Sequence, residues 1–502
     1  MDKTYGRGKW RCLGRTAILQ KGKYRCIDNG KRSKHNKATS MHERITSGRA
    51  EFPALMAREF AKRLSAHGRY HGLRLRMKHG TNDIKAAYRR VPTAQPQYSC
   101  VAVYNTDAND VQFCDVWGHN FGLKSAVVNF NRFPEMATCA ARRLFAVCTE
   151  HYVDDNDTSE PAYSAKSGQQ SLKTLHSSCL LGFPFDDSKD EDVDESNTYL
   201  GVITSFEHLS TGVITMDVSK TRRSKISALV SEVFKANQLR SGLASSLYGS
   251  ARFAISPCFG CVGKACLQPI LAREYQPDQS AITTAIEESL EFIDFLMVNM
   301  PAMHVPLAPD DSQPVIIFTD AEGKQRSGSS PPTGHLGFTV IHPIHGKVSA
   351  HAAVPSSIIK LLDACKQRQT YIGQFELIAM ICPFLSLPAE WFHGRPVELW
   401  VDNAGAIGAA IKGYSSFPDH ARLVNLFHFT IAKLGLASIW IDYVPSESNI
   451  ADVPSRAHEL SAAELASYAS LLGPFTKLVV PTVADDAGNW LSFQTIANEL
   501  WG

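Results

Sequence analysis

The alternation of apolar and polar positions in the first half of the chain predicts two β-hairpins among helices. YSCVAVY (98–104) and VQFCDVW (111–117) are β-rich runs on either side of an Asn/Asp turn. A second pair, YLGVITSFE (199–207) and STGVITMD (210–217), follows an acidic loop at 186–195. Residues 1–50 are weakly periodic and predict no clear element. Helical periodicity covers 124–150 with an interruption at Pro134, 161–181 up to Gly182, and 218 to about 300.

The second half shows the element order of a mixed sheet covered by helices. Three prolines and an Asp pair at 305–314 predict a linker in front of it. The predicted elements are a strand at 315–320, a hairpin of 337–343 and 347–354 around His345–Gly346, helix at 357–384, a strand at 397–402, helix at 404–435 with a break near Gly413, and a strand at 437–444. This order predicts a five-stranded mixed sheet. The fold class is therefore α+β or α/β, in several domains.

Length and composition predict an ordinary globular chain. A length of 502 residues suggests two to four domains, and 44% hydrophobic with 20% charged residues is the usual balance. No run approaches the roughly 18 apolar residues of a membrane helix, and no apolar segment of a secretory signal follows the basic N-terminus. The 12 cysteines are scattered, which is typical of a reducing compartment. We therefore expect an intracellular, non-secreted protein of the cytoplasm or nucleus.

Charge is distributed very unevenly along the chain. Residues 1–100 contain 24 Lys and Arg against 6 Asp and Glu, a net charge of +18, whereas the whole chain has a net charge of +3. The remaining residues therefore carry 3 − 18 = −15. So basic a segment favours a polyanionic partner, and nucleic acid is the natural candidate because phosphate neutralisation releases counterions.

Three aspartates in the first half are candidates for metal chemistry. Asp83 opens DIKAAYRRV, and Asp154 with Asp155 sits at a tight turn after the apolar HYV. Adjacent aspartates on a hairpin tip need a counter-charge if they are buried, and a pair of divalent cations supplies one. Two Mg²⁺ ions can activate a 3′-hydroxyl and stabilise leaving pyrophosphate. A lone Asp-Asp turn is more often a simple surface turn, so the choice between a metal site and a surface turn depends on the neighbouring motifs.

Those neighbouring motifs resemble the reverse transcriptases over roughly residues 20–300. DIKAAYRRV looks like the family's first palm motif, HNFGLKSAVVNFNR like its second and HYVDD like its third. KYRCIDNGKRSKHN (23–36) is similar to the fingers segment, and YLGVITSF (199–206) to the segment that grips the primer. The resemblance implies a right-hand polymerase with fingers, palm and thumb or connection. It assigns Asp83, Asp154 and Asp155 to two Mg²⁺ ions, with Mn²⁺ as a substitute.

The same resemblance implies six nucleotide-binding residues. Tyr88 matches the aromatic residue that lies against the sugar, and the alternative is a core tyrosine on an amphipathic turn. Packing there would exclude a 2′-hydroxyl. Arg25 and Lys23 match the basic residues on the triphosphate, and Phe121 with Gly122 matches the position under the nucleotide. Lys189 matches a lysine of a later palm motif, but it lies in an acidic run and equally fits a solvated loop. The full set is Lys23, Arg25, Tyr88, Phe121, Gly122 and Lys189.

A second set of acids falls at strand ends and on a helix of the C-terminal sheet. Asp320 follows VIIFT, Glu376 lies on QFELIAMI, Asp402 follows VELWV, and Asp452 lies in SNIADVPSR. Converging acids repel one another unless cations bind. The pattern therefore predicts a site that binds two Mg²⁺ ions and hydrolyses a phosphodiester. The arrangement resembles ribonuclease H over roughly residues 313–457, with a DN plus AD-x-x-SR signature most similar to DIRS-like retroelements. The family's histidine before the last acid is missing, and Glu447 stands nearest its place.

Together the resemblances imply an RNA-directed DNA polymerase of a retroelement, coupled to ribonuclease H cleavage. Its expected partners are an RNA template, a DNA primer, RNA–DNA hybrid and deoxynucleoside triphosphates, with no membrane and an open oligomeric state. The alternatives are a catalytically inactive RNA-binding scaffold derived from such an element, and a polymerase without a nuclease. The expected domains are fingers and palm at 1–215, a helical thumb or connection at 216–304, a ribonuclease H-like domain at 313–457 and an extension of unknown role at 458–502.

Overall fold

The chain forms two compact units, Met1–Thr215 and Met216–Gly502. The computed structural model describes residues 1–20, 22–70, 74–164, 166–180, 182–308, 312–485 and 488–501. Residues 309–311 of the linker predicted at 305–314 lie outside these ranges.

The first unit contains mainly short antiparallel strands with one long helix. Its helices are α1 (Asp2–Tyr5), α2 (His35–Ala38), α3 (Phe52–Ala66), α4 (Lys124–Phe145) and α5 (Ser167–Thr174), which continues as a π-helical segment at Leu175–Leu180. Its strands are β1 (Cys12–Gln20), β2 (Lys23–Asn29), β3 (Met77–Asp83), β4 (Cys100–Asn105), β5 (Asp110–Cys114), β6 (Thr149–Tyr152), β7 (Asp155–Pro161), β8 (Glu191–Asp194), β9 (Ser196–Tyr199) and β10 (Val202–Ser205). The division between the units falls within β11 (Val213–Val218).

One sheet of the first unit has the strand order β2-β1-β4-β5. The predicted hairpin at 98–117 is present as β4 and β5, with Val101 opposite Cys114. The sequence predicted no element for residues 1–50, yet β1 and β2 form a long hairpin there in which Arg15 faces Asp28. The basic segment is therefore partly folded as a sheet.

A second sheet of the first unit, in the order β6-β7-β3-β8, carries the first group of acids. A buried cluster at one end of β3 includes Ile84, Phe130, Leu172 and Phe183, so α4 and α5 pack under the acids. The predicted helix at 124–150 ends at Phe145, because Ala146 adopts a left-handed conformation and β6 begins at Thr149. Pro134 does not interrupt this helix, which continues through it.

The second unit combines a helical segment with a mixed sheet. The helices are α6 (Lys220–Ala236), α7 (Ser241–Cys258), α8 (Leu267–Glu274), α9 (Thr284–Asn299), α10 (Ser356–Cys365), α11 (Ile372–Ser386), α12 (Ala404–Lys412), α13 (Pro418–Leu434), α14 (Asp452–Ser455), α15 (Ala462–Ser467), α16 (Ala469–Leu472) and α17 (Phe493–Trp501). The strands are β12 (Met303–Pro306), β13 (Val315–Lys324), β14 (Thr333–His342), β15 (Gly346–Ala353), β16 (Pro396–Val401), β17 (Ser438–Tyr443) and β18 (Phe475–Lys477).

The sheet of the second unit has six strands in the order β17-β16-β13-β14-β15-β18, so the prediction of five strands was wrong. The sixth strand comes from the segment 458–502, where Phe475 pairs in parallel with Ser349 of β15. The predicted helix at 357–384 is two helices, α10 and α11. From Gln374 to Phe384 every side chain of α11 is buried, because this nearly all-apolar helix packs on β13, β14 and α13.

In the described part of the chain, no helix is both long enough and apolar enough to span a membrane.

Candidate active sites

The aspartate hairpin site, defined here as Asp83, Asp154 and Asp155, lies at one end of the sheet β6-β7-β3-β8. The turn between β6 and β7 places Val153 at φ 59°, a left-handed conformation that reverses the chain tightly. Asp155 then lies directly opposite Asp83 in the antiparallel register of β3 and β7. The backbone amide of Ile84 donates to the Asp154 carbonyl oxygen at 2.9 Å, which fixes the third acid beside the pair.

Negative charge in this site is only partly compensated. Burial, followed by the charges of Asp154 and Asp83, raises the pKa of Asp155 to about 6. Burial and the charge of Asp83 also raise the pKa of Asp154. Lys189 Nζ lies 2.6 Å from Asp83 Oδ1, and its charge opposes both shifts. Lys189 is thus a direct partner of a predicted metal ligand, and half of its side chain remains exposed.

The donor chemistry of the aspartate hairpin site fits hard divalent cations. Carboxylate oxygens are the ligands that Mg²⁺ prefers, and half-buried aspartates whose pKa is raised gain most from a nearby cation. The three residues therefore suit the expected Mg²⁺ chemistry, with Lys189 as the counter-charge that the protein itself supplies.

An aromatic platform adjoins the aspartate hairpin site. The ring of Tyr88 packs edge-to-face on Phe121 at 5.1 Å and on Phe130 at 5.3 Å. Burial, and then the charge of Asp154, raises the pKa of Tyr88 to about 12, which keeps the phenol neutral. The guanidinium of Arg89 lies over the Phe121 ring, 5.5 Å from its centroid. Tyr88 is half-buried, so part of its ring remains available to a ligand.

Gly122 lies against the end of β2, where no larger residue fits. Its φ is +90°, and an added Cβ would lie 2.1 Å from the backbone oxygen of Asp28. The side chain of Asn36 bridges this contact: its amide donates to the Gly122 carbonyl at 2.8 Å, and its oxygen accepts from the Lys124 backbone at 2.9 Å. The predicted nucleotide-binding turn is thereby held against the first sheet.

Sequence reasoning missed Asp28 as a central residue of this region. Its side chain is fully buried and accepts from Arg15 Nε at 2.7 Å and from Arg89 Nη2 at 2.8 Å. Arg89 also donates to Asn120, one residue before Phe121. A buried acid between two arginines orients the platform, and no local sequence signal identifies a pairing between residues 61 positions apart. The side chains of Lys23 and Arg25, both predicted to contact the triphosphate, lie outside the described residues.

The buried carboxylate cluster, defined here as Asp320, Glu376 and Asp402, lies in the second unit. Each contributes an oxygen, and these oxygens all lie within 4.8 Å of one another. Asp402 directly follows β16, and Glu376 comes from the buried helix α11. Asp320 does not end its strand as predicted, because β13 continues to Lys324 and pairs with β14 beyond Asp320.

The buried carboxylate cluster leaves one acceptor without a partner. Burial raises the pKa of Asp320 to about 6; a hydrogen bond from Ser455 opposes this shift, and the charges of Asp402 and Asp452 add to it. Burial, with the charges of Asp320 and Asp402, holds the pKa of Glu376 well above its usual range. In the described part of the chain, Glu376 Oε2 is buried without a hydrogen-bond partner. A divalent cation would satisfy that oxygen, so this cluster also fits Mg²⁺.

Asp452 lies beside the buried carboxylate cluster rather than within it. It opens α14 and pairs with Arg456, whose Nη2 is 3.0 Å from Asp452 Oδ1. Ser455 from the same short helix donates its hydroxyl to Asp320 Oδ2. This serine is in the SNIADVPSR motif but was not among the predicted site residues.

Comparisons with known proteins give only weak likenesses. The sequence matches no protein-family model and no curated protein. Three similar solved structures are of the foamy viral protease–reverse transcriptase. The dRH form with double-stranded DNA has 13% identity and a TM-score of 0.40, covering 86% of this chain and 65% of that one. The complex with RNA/DNA hybrid has 13% identity and a TM-score of 0.42, and the match covers 87% of this chain and 51% of that one. Another double-stranded DNA complex has 15% identity and a TM-score of 0.39, and the match covers 86% of this chain and 78% of that one.

The chain spans less than two thirds of the length of the first two of these proteins. At such identities and TM-scores the likeness does not assign a family. The geometry of the two groups of acids therefore indicates the chemistry of the chain better than the likeness does.

Proposed function

We propose that the chain is an RNA-directed DNA polymerase of a retroelement that also cleaves RNA in RNA–DNA hybrids. The observation that carries the proposal is the register that sets Asp83 opposite Asp155, with Asp154 at the adjoining turn. Three carboxylates at one sheet end, with Lys189 as a counter-charge, suit nucleotidyl transfer with two Mg²⁺ ions.

The residues around the aspartate hairpin site have separable roles in this proposal. When bound, Mg²⁺ supplies activation of the primer 3′-hydroxyl and neutralisation of the departing pyrophosphate. Asp83, Asp154 and Asp155 would hold the cations, and burial raises the pKa of Asp155 to about 6 in their absence. Tyr88 forms the wall that excludes a 2′-hydroxyl, and Gly122 lets the turn after Phe121 lie against the backbone of Asp28. Lys189 neutralises Asp83 when no cation is present.

The buried carboxylate cluster is the proposed ribonuclease H site. Asp320, Glu376 and Asp402 would hold Mg²⁺, which activates water for attack on a phosphodiester. Ser455 orients Asp320 through its hydroxyl hydrogen bond. Asp452 would join these ligands by releasing Arg456, an exposed partner that contributes little to stability.

The proposed substrates are an RNA template, a DNA primer, their hybrid and deoxynucleoside triphosphates. The net charge of +18 over residues 1–100 supports sequence-independent contact with phosphate backbones. The retroelement type, DIRS-like by its AD-x-x-SR signature, is supported by the motif alone.

One coupled experiment tests both activities in order. The native chain is given Mg²⁺, deoxynucleotides and a DNA primer annealed to a 5′-labelled RNA template. We expect the labelled RNA to be cut within the primer-paired region from the start, and nearer its 5′ end only as the primer is extended, because the nuclease acts only on hybrid. If the RNA is cut outside the primer-paired region when deoxynucleotides are left out, cleavage does not depend on polymerisation, and the proposed coupling is contradicted. If the chain binds the primer–template but does not extend the primer, the result favours the alternative that the chain is a catalytically inactive RNA-binding scaffold.

A further inference from the structure

A second group of possible metal ligands in the second unit has no role in the proposed function. It consists of Glu322 on β13, His335 on β14, and His458 in the turn Ala457–Glu459. One ligand atom from each lies within 4.8 Å of the other two. We refer to these three residues as the histidine–glutamate cluster.

The fold brings this cluster together from three places in the chain. Glu322 lies directly opposite His335 in the antiparallel register of β13 and β14, so the two side chains share a sheet face. The ring of His458 stacks on that of His335, with centroids 3.5 Å apart and an angle of 10° between the ring planes. Three side chains from distant parts of the chain thus converge at one place on this sheet face.

The distances in the cluster suit a transition metal ion. Glu322 Oε2 lies 3.4 Å from His458 Nε2 and 3.8 Å from His335 Nδ1. Ligands bound at about 2.0–2.1 Å in a tetrahedral site are roughly 3.3 Å apart, close to these distances. The two rings lie parallel, so one of them would rotate out of the stack for both nitrogen lone pairs to point at one ion. Glu322 Oε2 is also a buried acceptor without a hydrogen-bond partner in the described part of the chain. About a quarter of each histidine side chain is exposed, which gives an ion a route of entry.

Two charged neighbours of the cluster, Lys324 and Glu459, are paired with each other. Lys324 Nζ is directed to Glu459, at 3.4 Å, and not to Glu322. Glu459 lies 3.6 Å from His458 and increases the negative charge on that side. Two imidazoles with one carboxylate are a donor set that prefers zinc over Mg²⁺, which favours oxygen ligands alone.

We propose that Glu322, His335 and His458 bind a divalent transition metal ion, zinc by preference, that fastens the segment 452–459 to the sheet. This segment carries Asp452 and also Ser455, which contacts Asp320. The ion would therefore hold the last predicted nuclease ligand in place without taking part in the chemistry. The proposal is independent of whether the chain is an enzyme.

Zinc binding to the full chain, measured by calorimetry in excess Mg²⁺, tests the proposal. One zinc ion is expected per native chain, and His335→Gln or Glu322→Gln should weaken binding at least about tenfold. His304→Gln, at an exposed histidine of the same unit, is the matched control and should bind as the native chain does. Glu376→Gln should also keep the zinc, which separates this site from the buried carboxylate cluster.

Spectroscopy and unfolding provide a second readout that does not depend on one variant folding well. Cobalt in place of zinc should give the visible absorption of a low-coordinate site with nitrogen ligands in the native chain and in His304→Gln. Zinc at 100 times its dissociation constant should stabilise the native fold by about 2.7 kcal/mol. No stoichiometric zinc in the native chain, or equal affinity in folded native and His335→Gln proteins, would overturn the proposal.

Discussion

Asp83 and Asp155 lie directly opposite each other on the antiparallel strands β3 and β7. Opposed residues in such a pair have Cβ atoms about 4.5–5.5 Å apart, so two ionised carboxylates there repel strongly. Lys189 forms an ion pair with Asp83, and the pKa of Asp155 is raised to about 6. Both reduce the repulsion between the two carboxylates. This relationship makes the behaviour of the site dependent on both cations and pH.

Primer extension should fall as the pH is lowered through about 6, the pKa of Asp155. Only the ionised carboxylate holds a cation, so activity is present above that pH and lost below it, about tenfold per pH unit for one proton. Added Mg²⁺ competes with the proton and should move the midpoint to lower pH. Rates are measured from pH about 5 to about 8, a range that brackets this pKa, with primer–template binding followed in parallel. A flat profile with unchanged binding would argue against this role of Asp155.

Replacing Tyr88 by alanine should allow ribonucleotides to be incorporated. The ring is held by Phe121 and Phe130, and its removal opens space for a 2′-hydroxyl. We expect the preference for deoxynucleotides, as a ratio of kcat/KM, to fall at least about tenfold. Tyr88→Phe keeps the ring and serves as the control, which should retain the native preference. If alanine and phenylalanine behave alike, the ring is not the sugar-excluding wall.

Gly122→Ala should destabilise the first unit by about 2–4 kcal/mol. The residue has φ +90°, and the new methyl group would meet the backbone oxygen of Asp28 at 2.1 Å. Gly212→Ala is the matched control, because Gly212 has φ +79° with open space around its Cβ position. It should cost only about 1 kcal/mol of conformational strain. Urea unfolding of both variants separates the effect of the steric clash from that of the backbone strain. An equal loss of unfolding free energy in the two variants would mean that the backbone near Gly122 shifts to relieve the clash.

Glu376→Gln should abolish cleavage of RNA–DNA hybrid and leave primer extension intact. Glutamine matches the size of the buried side chain, and the native carboxyl is already driven towards its neutral form. Stability should therefore change little, whereas loss of a metal ligand should reduce cleavage by at least about 100-fold. Glu390→Gln, at an exposed position of the same unit, is the control. Native cleavage by a folded Glu376→Gln protein would exclude the buried carboxylate cluster as the nuclease site.

Local sequence signals identified much of both groups of acids. The Asp154–Asp155 turn follows from an apolar run ending in two turn-forming residues, and Asp402 from a buried strand ending in an acid. These are patterns of neighbouring residues, so a single sequence displays them. The hairpin at 98–117 was predicted for the same reason.

Long-range pairing explains what the sequence did not predict. β18 has only three residues and is a strand because Phe475 pairs with Ser349, far earlier in the chain. The Asp28–Arg89 ion pair and the stacking of His335 on His458 likewise depend on the tertiary fold. Pro134 was expected to interrupt α4, but the buried packing of that helix overrides the local preference.

Primer extension on an RNA template with Mg²⁺ and deoxynucleotides, comparing the native chain with Asp154→Asn/Asp155→Asn, decides whether the aspartate hairpin site is a polymerase site. Asp107→Asn, in the turn between β4 and β5 of the same unit, is the matched control. We expect extension by the native and control proteins and its loss in the double variant, with primer–template binding retained in all three. Native-level extension by the double variant, or none by a folded native chain that binds primer–template, would contradict the proposed function.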